Sequence, residues 1–238
     1  MSRLFVSRRG DSMSACESAF DSEPRILSFK TVNTRPVISK RLLDATLATV
    51  LMIVFLPCMM AIAAAIVLTS RGRAIYWSSR VGRDNRLFPM PKFRTMRSDA
   101  PQLATHLLTN SQNWITPLGK FLRKTSLDEL PQLWSIVTGK MSFVGPRPAL
   151  FNQADLVSLR TSIGVHRLPP GLTGWAQIHG RDELSIKQKV EFDRYYLEHQ
   201  SLMLDLRIMA ATVIRVLKQD GIRQAGDAAF DTRPRRAA

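Results

Sequence analysis

Residues 45–70 read ATLATVLMIVFLPCMMAIAAAIVLTS, a run without a single charge and with Pro57 near its middle. As a helix rising ~1.5 Å per residue, roughly 25 such residues reach about 37 Å, more than the ~30 Å hydrocarbon core of a bilayer. No soluble domain of this size needs such a run, so the chain is expected to touch lipid. Pro57 removes one backbone donor and crowds the preceding turn, which predicts a bend. Lys40 and Arg41 flank one side, Arg71 and Arg73 the other. The positive-inside rule then gives no asymmetry, and both ends prefer the cytoplasmic face. Two half-helices folded back as a re-entrant hairpin meet that preference, whereas a straight span violates it at one end. The re-entrant reading stands ahead, with a spanning helix as the alternative. A secretory signal does not fit, because the run is too long and too far from Met1.

Working outward, the 238 residues allow one domain of ordinary size beside the membrane element. A formal net charge of +15 points to an anionic partner: lipid headgroups, phosphorylated small molecules or nucleic acid. The lipid-facing run favours the first two. The two cysteines, Cys16 in a polar leader and Cys58 inside the apolar run, do not suit a structural disulfide, and no Cys/His spacing suits zinc. The histidines (His106, His166, His179, His199) are scattered and read as surface or packing residues.

Four segments result. Residues 1–38 form a flexible basic leader, 39–70 the membrane hairpin, 71–222 a folded domain and 223–238 a disordered basic tail. Short alternating pieces around 74–77, before a turn at 82–85, predict strands or extended segments. Helices are predicted over 100–108, 116–123, 128–136, 184–198 and 204–218. Thr125 or Ser126 serves as N-cap of the third, with Asp128, Glu129 and Pro131 in or near its first turn. Two loops rich in Gly and Pro fall at 139–148 and 169–174. In the last helix Leu206, Met209, Val213 and Val216 share one side, suited to a core or a membrane surface. The fold class is thus α-rich α/β, with amphipathic interfacial helices and few short strands.

The segment RKTSLDELPQLWSIVTGKMSFVGPRP (residues 123–148) concentrates the chemistry. Adjacent acids on a helix point about 100° apart, so Asp128 and Glu129 cannot work as a same-face pair. One can attack or bridge while the other orients or binds a cation. A carboxylate beside cations and a helix N-terminus is expected to stay ionised, and an ionised carboxylate can attack phosphorus. The alternative, two ordinary acids favoured by a helix dipole, stays open at this level. Arg147 sits between two prolines, which stiffen the loop that presents its guanidinium, the group best matched to bidentate phosphate contact. Lys92 and Arg94 alternate around Phe93 and are expected on one side of an extended segment. Arg181 closes the loop that begins at Pro170. Neither a GxGxxG loop nor a Walker A loop is present.

The blocks KRLLD, SRVGRDNRLFPMPKFRTM, RKTSLDELPQLWSIVTGKMSFVGPRP, RLPPGLTGWAQIHGR and FDRYYLEHQSLMLDLRI together resemble the bacterial sugar transferase family, monotopic phosphoglycosyl transferases that start assembly of lipid-linked glycans. The resemblance covers roughly residues 39–222, and at this length the chain looks like the minimal catalytic form. It implies transfer of a sugar-1-phosphate from a UDP-sugar to undecaprenyl (polyprenyl) phosphate with release of UMP, through an aspartyl phospho-sugar on Asp128. The expected setting is the cytoplasmic face of the bacterial inner membrane, in exopolysaccharide, capsule or O-antigen synthesis. Glu129 and Asp128 would hold Mg²⁺. Lys92, Arg94, Arg123, Arg147, Arg181 and Asp205 fall on the family's functional positions, Arg147 going first to the nucleotide-sugar phosphates. Anionic membrane lipid is an expected partner, a homodimer is allowed, and nucleic acid is not expected. One departure stands at the membrane break: many members have Ser before the proline, and here Leu56 precedes Pro57. The competing class is a membrane-anchored non-catalytic protein that binds anionic lipid or nucleic acid. Its charge and apolar run fit equally well, but the ordered motif blocks do not.

Overall fold

The structure, a computed structural model, describes residues 38–70, 72–97, 114–180 and 184–218. The expected leader, the tail, the helix over 100–108 and Arg181 lie outside the described residues. The apolar run is α1, Ile38–Thr69, 32 residues long and helical through Pro57. The two expected half-helices are thus joined as one unbroken helix, with Pro57 inside it. The runs of Leu, Met and Ala on either side of Pro57 are strong helix formers, and one missing donor does not end the helix. By length and composition α1 is able to cross a membrane. Much of its surface is apolar and exposed, with Ile53, Val54, Phe55, Leu56 and Met60 open around the proline.

Both ends of α1 are nonetheless fastened to the folded domain. At the start, Arg41 donates to the carbonyls of Ile136 (2.6 Å) and Val137 (2.7 Å), the last turn of α3 (Gln132–Val137). Buried Asp44 accepts from Ser142 Oγ at 2.7 Å and from the Phe143 backbone N–H at 3.3 Å. Lys40 donates to Asp205, to the Tyr196 hydroxyl (3.0 Å) and to the Val144 carbonyl (3.1 Å). These three charges therefore hold partners within the folded domain. At the far end Ile66 packs with Phe93 and Leu122, and Arg94 donates to the Ser70 carbonyl (2.9 Å) and hydroxyl (2.6 Å).

An antiparallel hairpin follows, β1 (Ile75–Val81) and β2 (Leu87–Phe93), in the register Tyr76 opposite Lys92 and Arg80 opposite Phe88. Alternation therefore puts Tyr76, Ser78 and Arg80 on the same face as Phe88, Met90 and Lys92. Helix α2 (Pro117–Thr125) opens on an N-cap bond, the Gly119 N–H donating to Thr116 Oγ1 at 2.9 Å, with Pro117 at its first position. The main core joins Phe88 and Met90 of β2 to Leu133 and Ile136 of α3, with Ala48 of α1 and Ile208 of the last helix. Burial of each large apolar side chain there contributes about 1.5–3 kcal/mol.

Both Gly/Pro loops carry a short strand that sequence periodicity does not reveal. β3 (Ser142–Val144) pairs in parallel with β4 (Gly171–Thr173). Three residues are too few to display a period of two. Glycines let the strands and their flanks interlock. A Cβ on Gly171 would meet the Gly145 nitrogen at 2.2 Å, and one on Gly174 would meet the Gly145 carbonyl oxygen at the same distance. Between the strands lies α4 (Ala154–Ser162), and α5 (Trp175–Ile178) follows β4. Helix α6 (Ile186–Glu198) begins with a reciprocal Ser185/Gln188 capping box. In α7 (Leu202–Lys218) Ile208 is fully buried, while Met203, Leu206, Val213 and Ile214 are exposed. Leu206 and Val213 thus fit the membrane-surface side of the sequence reading.

Candidate active site

Asp128 and Glu129 are not in the first turn of a regular helix, as the sequence suggested. Ser126 closes α2 in the left-handed region (φ 58°) and makes no side-chain cap bond, so it is the C-cap of α2 and no N-cap. Left-handed backbone is costly for a residue with a Cβ. Here it turns the chain sharply, and a single 3₁₀ turn, Leu127–Glu129, delivers both acids before α3 begins.

Glu129 is nearly enclosed. Lys92 Nζ from β2 donates to its Oε1 at 3.0 Å, and Arg147 Nη2 donates to the same oxygen at 3.2 Å. Arg147 projects from the loop after β3, which the Gly145 interlock and two prolines stiffen. That loop has a second support: Arg160 of α4 donates to the Arg147 carbonyl at 2.8 Å and to Asp193 Oδ2 of α6 at 2.6 and 2.9 Å. Arg80 of β1 donates to the Pro148 carbonyl at 3.3 Å and to Ser78 Oγ at 3.0 Å. Arg80, Met90, Lys92, Glu129, Gln132, Arg147 and Pro148 line one crevice. Arg123 of α2 donates to Thr95 Oγ1 at 2.8 Å and bears electrostatically on Asp128.

Four cations thus surround two carboxylates, and positive charge is in excess even with both acids ionised. Burial pushes Arg80 down to about 10, helped by neighbouring Arg147 and opposed by Glu129. Burial also lowers Lys92, against the pull of Glu129. Asp128 is pushed up to about 6: burial and then repulsion from Glu129 outweigh Lys92, Arg123 and Arg147. The cations named in the sequence reading do pull towards the ionised form, but desolvation is the larger effect. At pH 7 the group is still mainly ionised, and its raised basicity favours attack on an electrophile.

Of the sequence-predicted residues, the structure brings together Asp128, Glu129, Lys92, Arg123 and Arg147. Arg94 lies just beyond β2, its backbone N–H donating to the Ala74 carbonyl at 2.8 Å, and its guanidinium holds Ser70 at the end of α1 instead of joining Glu129. Asp205 is buried in the collar with Lys40 and Tyr196. Pro57 lies within α1. Sequence reasoning missed Arg80, Gln132 and Arg160. Strand alternation carried a signal for Arg80, two residues beyond Ser78 on the face of Lys92; Gln132 and Arg160 had none.

Among the described residues no group of three or more His, Cys, Asp or Glu side chains gathers as for a protein-only metal site. Mg²⁺ commonly takes one or two carboxylates and completes its shell from substrate phosphates and water, and the carboxylates here are those of Asp128 and Glu129.

A family model described as bacterial sugar transferase matches residues 35–219. The chain is 38% identical over 191 residues to the UDP-glucose:undecaprenyl-phosphate glucose-1-phosphate transferase of Xanthomonas campestris pv. campestris, covering 77% of this chain and 40% of the relative. It is 37% identical over 200 residues to the UDP-galactose-lipid carrier transferase of Erwinia amylovora, covering 76% and 41%. It is also 37% identical over 193 residues to the uncharacterised sugar transferase EpsL of Bacillus subtilis (strain 168), covering 79% of this chain and 92% of that one. The chain therefore spans about two fifths of the first two relatives and nearly all of the third.

Proposed function

This chain belongs to the bacterial sugar transferase family, and on that premise we propose that it transfers a sugar-1-phosphate from a UDP-sugar to a polyprenyl phosphate. The observation that carries this reading is the cluster around Asp128: a basic, mainly ionised carboxylate among four cations, with charge left to neutralise an incoming diphosphate. In the first step an Asp128 carboxylate oxygen attacks the sugar-bearing phosphorus. The bond from that phosphorus to the UMP oxygen breaks, and UMP departs with the electron pair. In the second step a phosphate oxygen of the polyprenyl phosphate attacks the same phosphorus, and Asp128 is released as carboxylate. Splitting one encounter between two anions into two steps is the advantage of the covalent route. Arg147 and Lys92 bear on the equatorial oxygens, while Glu129 keeps both cations in place. Mg²⁺, when held by Asp128 and Glu129, neutralises charge on the phosphates.

We also propose that α1, bent at Pro57 without losing its helix, is re-entrant and anchors the enzyme on the cytoplasmic face, where such a transferase would start exopolysaccharide, capsule or O-antigen chains. The support is that one folded domain holds both ends of α1, through Lys40, Arg41 and Asp44 at one and Ile66 and Ser70 at the other. A crossing helix would carry those ends to opposite faces of a ~30 Å core. Cysteine labelling on either side of the run tests this, and labels on opposite faces exclude it.

The reaction is tested by UMP release across a panel of UDP-sugars, since the two relatives above are named for glucose and for galactose. Asp128→Asn is expected to abolish turnover and to leave no phospho-sugar adduct on the polypeptide by mass spectrometry. Retained turnover in that variant rules out the covalent route.

A further inference from the structure

Gln132 stands behind Glu129 at the start of α3, and it is 3% exposed. Its amide nitrogen is shut off from solvent and, among the described residues, makes no hydrogen bond. It lines the same crevice as Arg80, Lys92, Glu129 and Arg147. The crevice lining thus joins two guanidiniums, an ammonium and the Gln132 amide to a single carboxylate. Its one carboxylate already accepts from both Lys92 and Arg147. A buried donor without a partner carries a desolvation cost, and native folds rarely keep one without a use.

We propose that the Gln132 side-chain amide donates to a phosphoryl oxygen of bound substrate, forming with Arg80, Lys92 and Arg147 an anion subsite. The assignment of that oxygen to a transferred phosphate rests on the function proposed above; the subsite itself rests on the orphaned amide beside three cations. Arg80 and Lys92 supply charge, and Gln132 supplies direction, because a planar amide N–H rewards one oxygen position over others. The phosphate comes either from the nucleotide-sugar diphosphate or from the lipid acceptor.

The test uses the full chain in lipid nanodiscs, with inorganic pyrophosphate, UDP and a short polyprenyl phosphate as separate probes. Gln132→Met keeps the volume and deletes the orphan donor. Its melting temperature without ligand should equal or exceed that of the wild type, while affinity for at least one probe falls roughly tenfold to a hundredfold. Loss confined to pyrophosphate and UDP assigns the subsite to the donor substrate, and loss confined to the polyprenyl phosphate assigns it to the acceptor. Gln132→Glu, nearly isosteric, should weaken the affected probe further by placing negative charge beside it. If Gln132→Met does not fold, that second variant decides. Wild-type affinity for all three probes in a folded variant overturns the proposal, because the amide then serves packing or bound water. Gln132-dependent pyrophosphate binding without UMP release from any UDP-sugar would leave the subsite standing and overturn the function. Turnover with unchanged probe affinities would do the reverse.

Discussion

The collar that grips the start of α1 and the cluster around Asp128 both bury charge, yet they balance it differently. In the collar, Lys40 meets Asp205, Asp44 is taken up by Ser142 and the Phe143 N–H, and Arg41 closes two helix-end carbonyls. Each of these groups has its partner inside the protein. Around Asp128 cations outnumber acids, Asp128 itself is pushed up to about 6, and the Gln132 nitrogen is unsatisfied. Balanced burial of charge fastens elements together. Unbalanced burial keeps a region expectant, and it marks where a ligand completes the structure.

The difference is open to attack in three ways. Asp205→Ala leaves the Lys40 ammonium, only 15% exposed, without its counter-charge. A loss of about 3–5 kcal/mol is expected in denaturant unfolding. If turnover falls instead while stability holds, Asp205 acts on substrate and the collar is not purely structural. Asp128→Asn should move stability in the opposite direction. The folded state raises Asp128 from near 3.8 to about 6, so the folded protein binds that proton more tightly than the unfolded chain. The penalty is complete above about pH 6 and disappears as pH falls towards 4. At pH 7 the variant should therefore gain about 3 kcal/mol, and below pH 4 nothing. The smallest effect is in the pH profile of the wild type. With ionised Asp128 required, kcat/KM should level off above about pH 6 and decline below it, approaching about tenfold per pH unit. A profile flat down to pH 4.5 would show that burial does not govern this acid.

Much of this was legible in the chain. Long, strongly patterned elements declared themselves: the apolar run, the β1–β2 hairpin with its turn, and helices α2, α6 and α7. The DE pair, Lys92, Arg123 and Arg147 were singled out as well, because their residue types fit phosphate chemistry. What stayed hidden depends on contacts between distant segments. β3 and β4 are three residues each and exist by pairing across glycines that a linear reading takes for loop. The sign of the Asp128 shift needed burial, which a charge count omits. Arg94 and Asp205 have the right chemistry for substrate, and only the fold shows that Ser70 and Lys40 claim them.

The separation of Lys40 from Asp205 by 165 residues sets the order in which the molecule can be completed. The apolar segment leaves the ribosome while its acidic counterpart is still unmade. Until α7 has been translated, the ammonium beside Val144 has no anion to hold, and the loop that carries Arg147 lacks that brace. A nascent chain therefore carries its apolar segment well before the collar can close, and α7 locks the assembly.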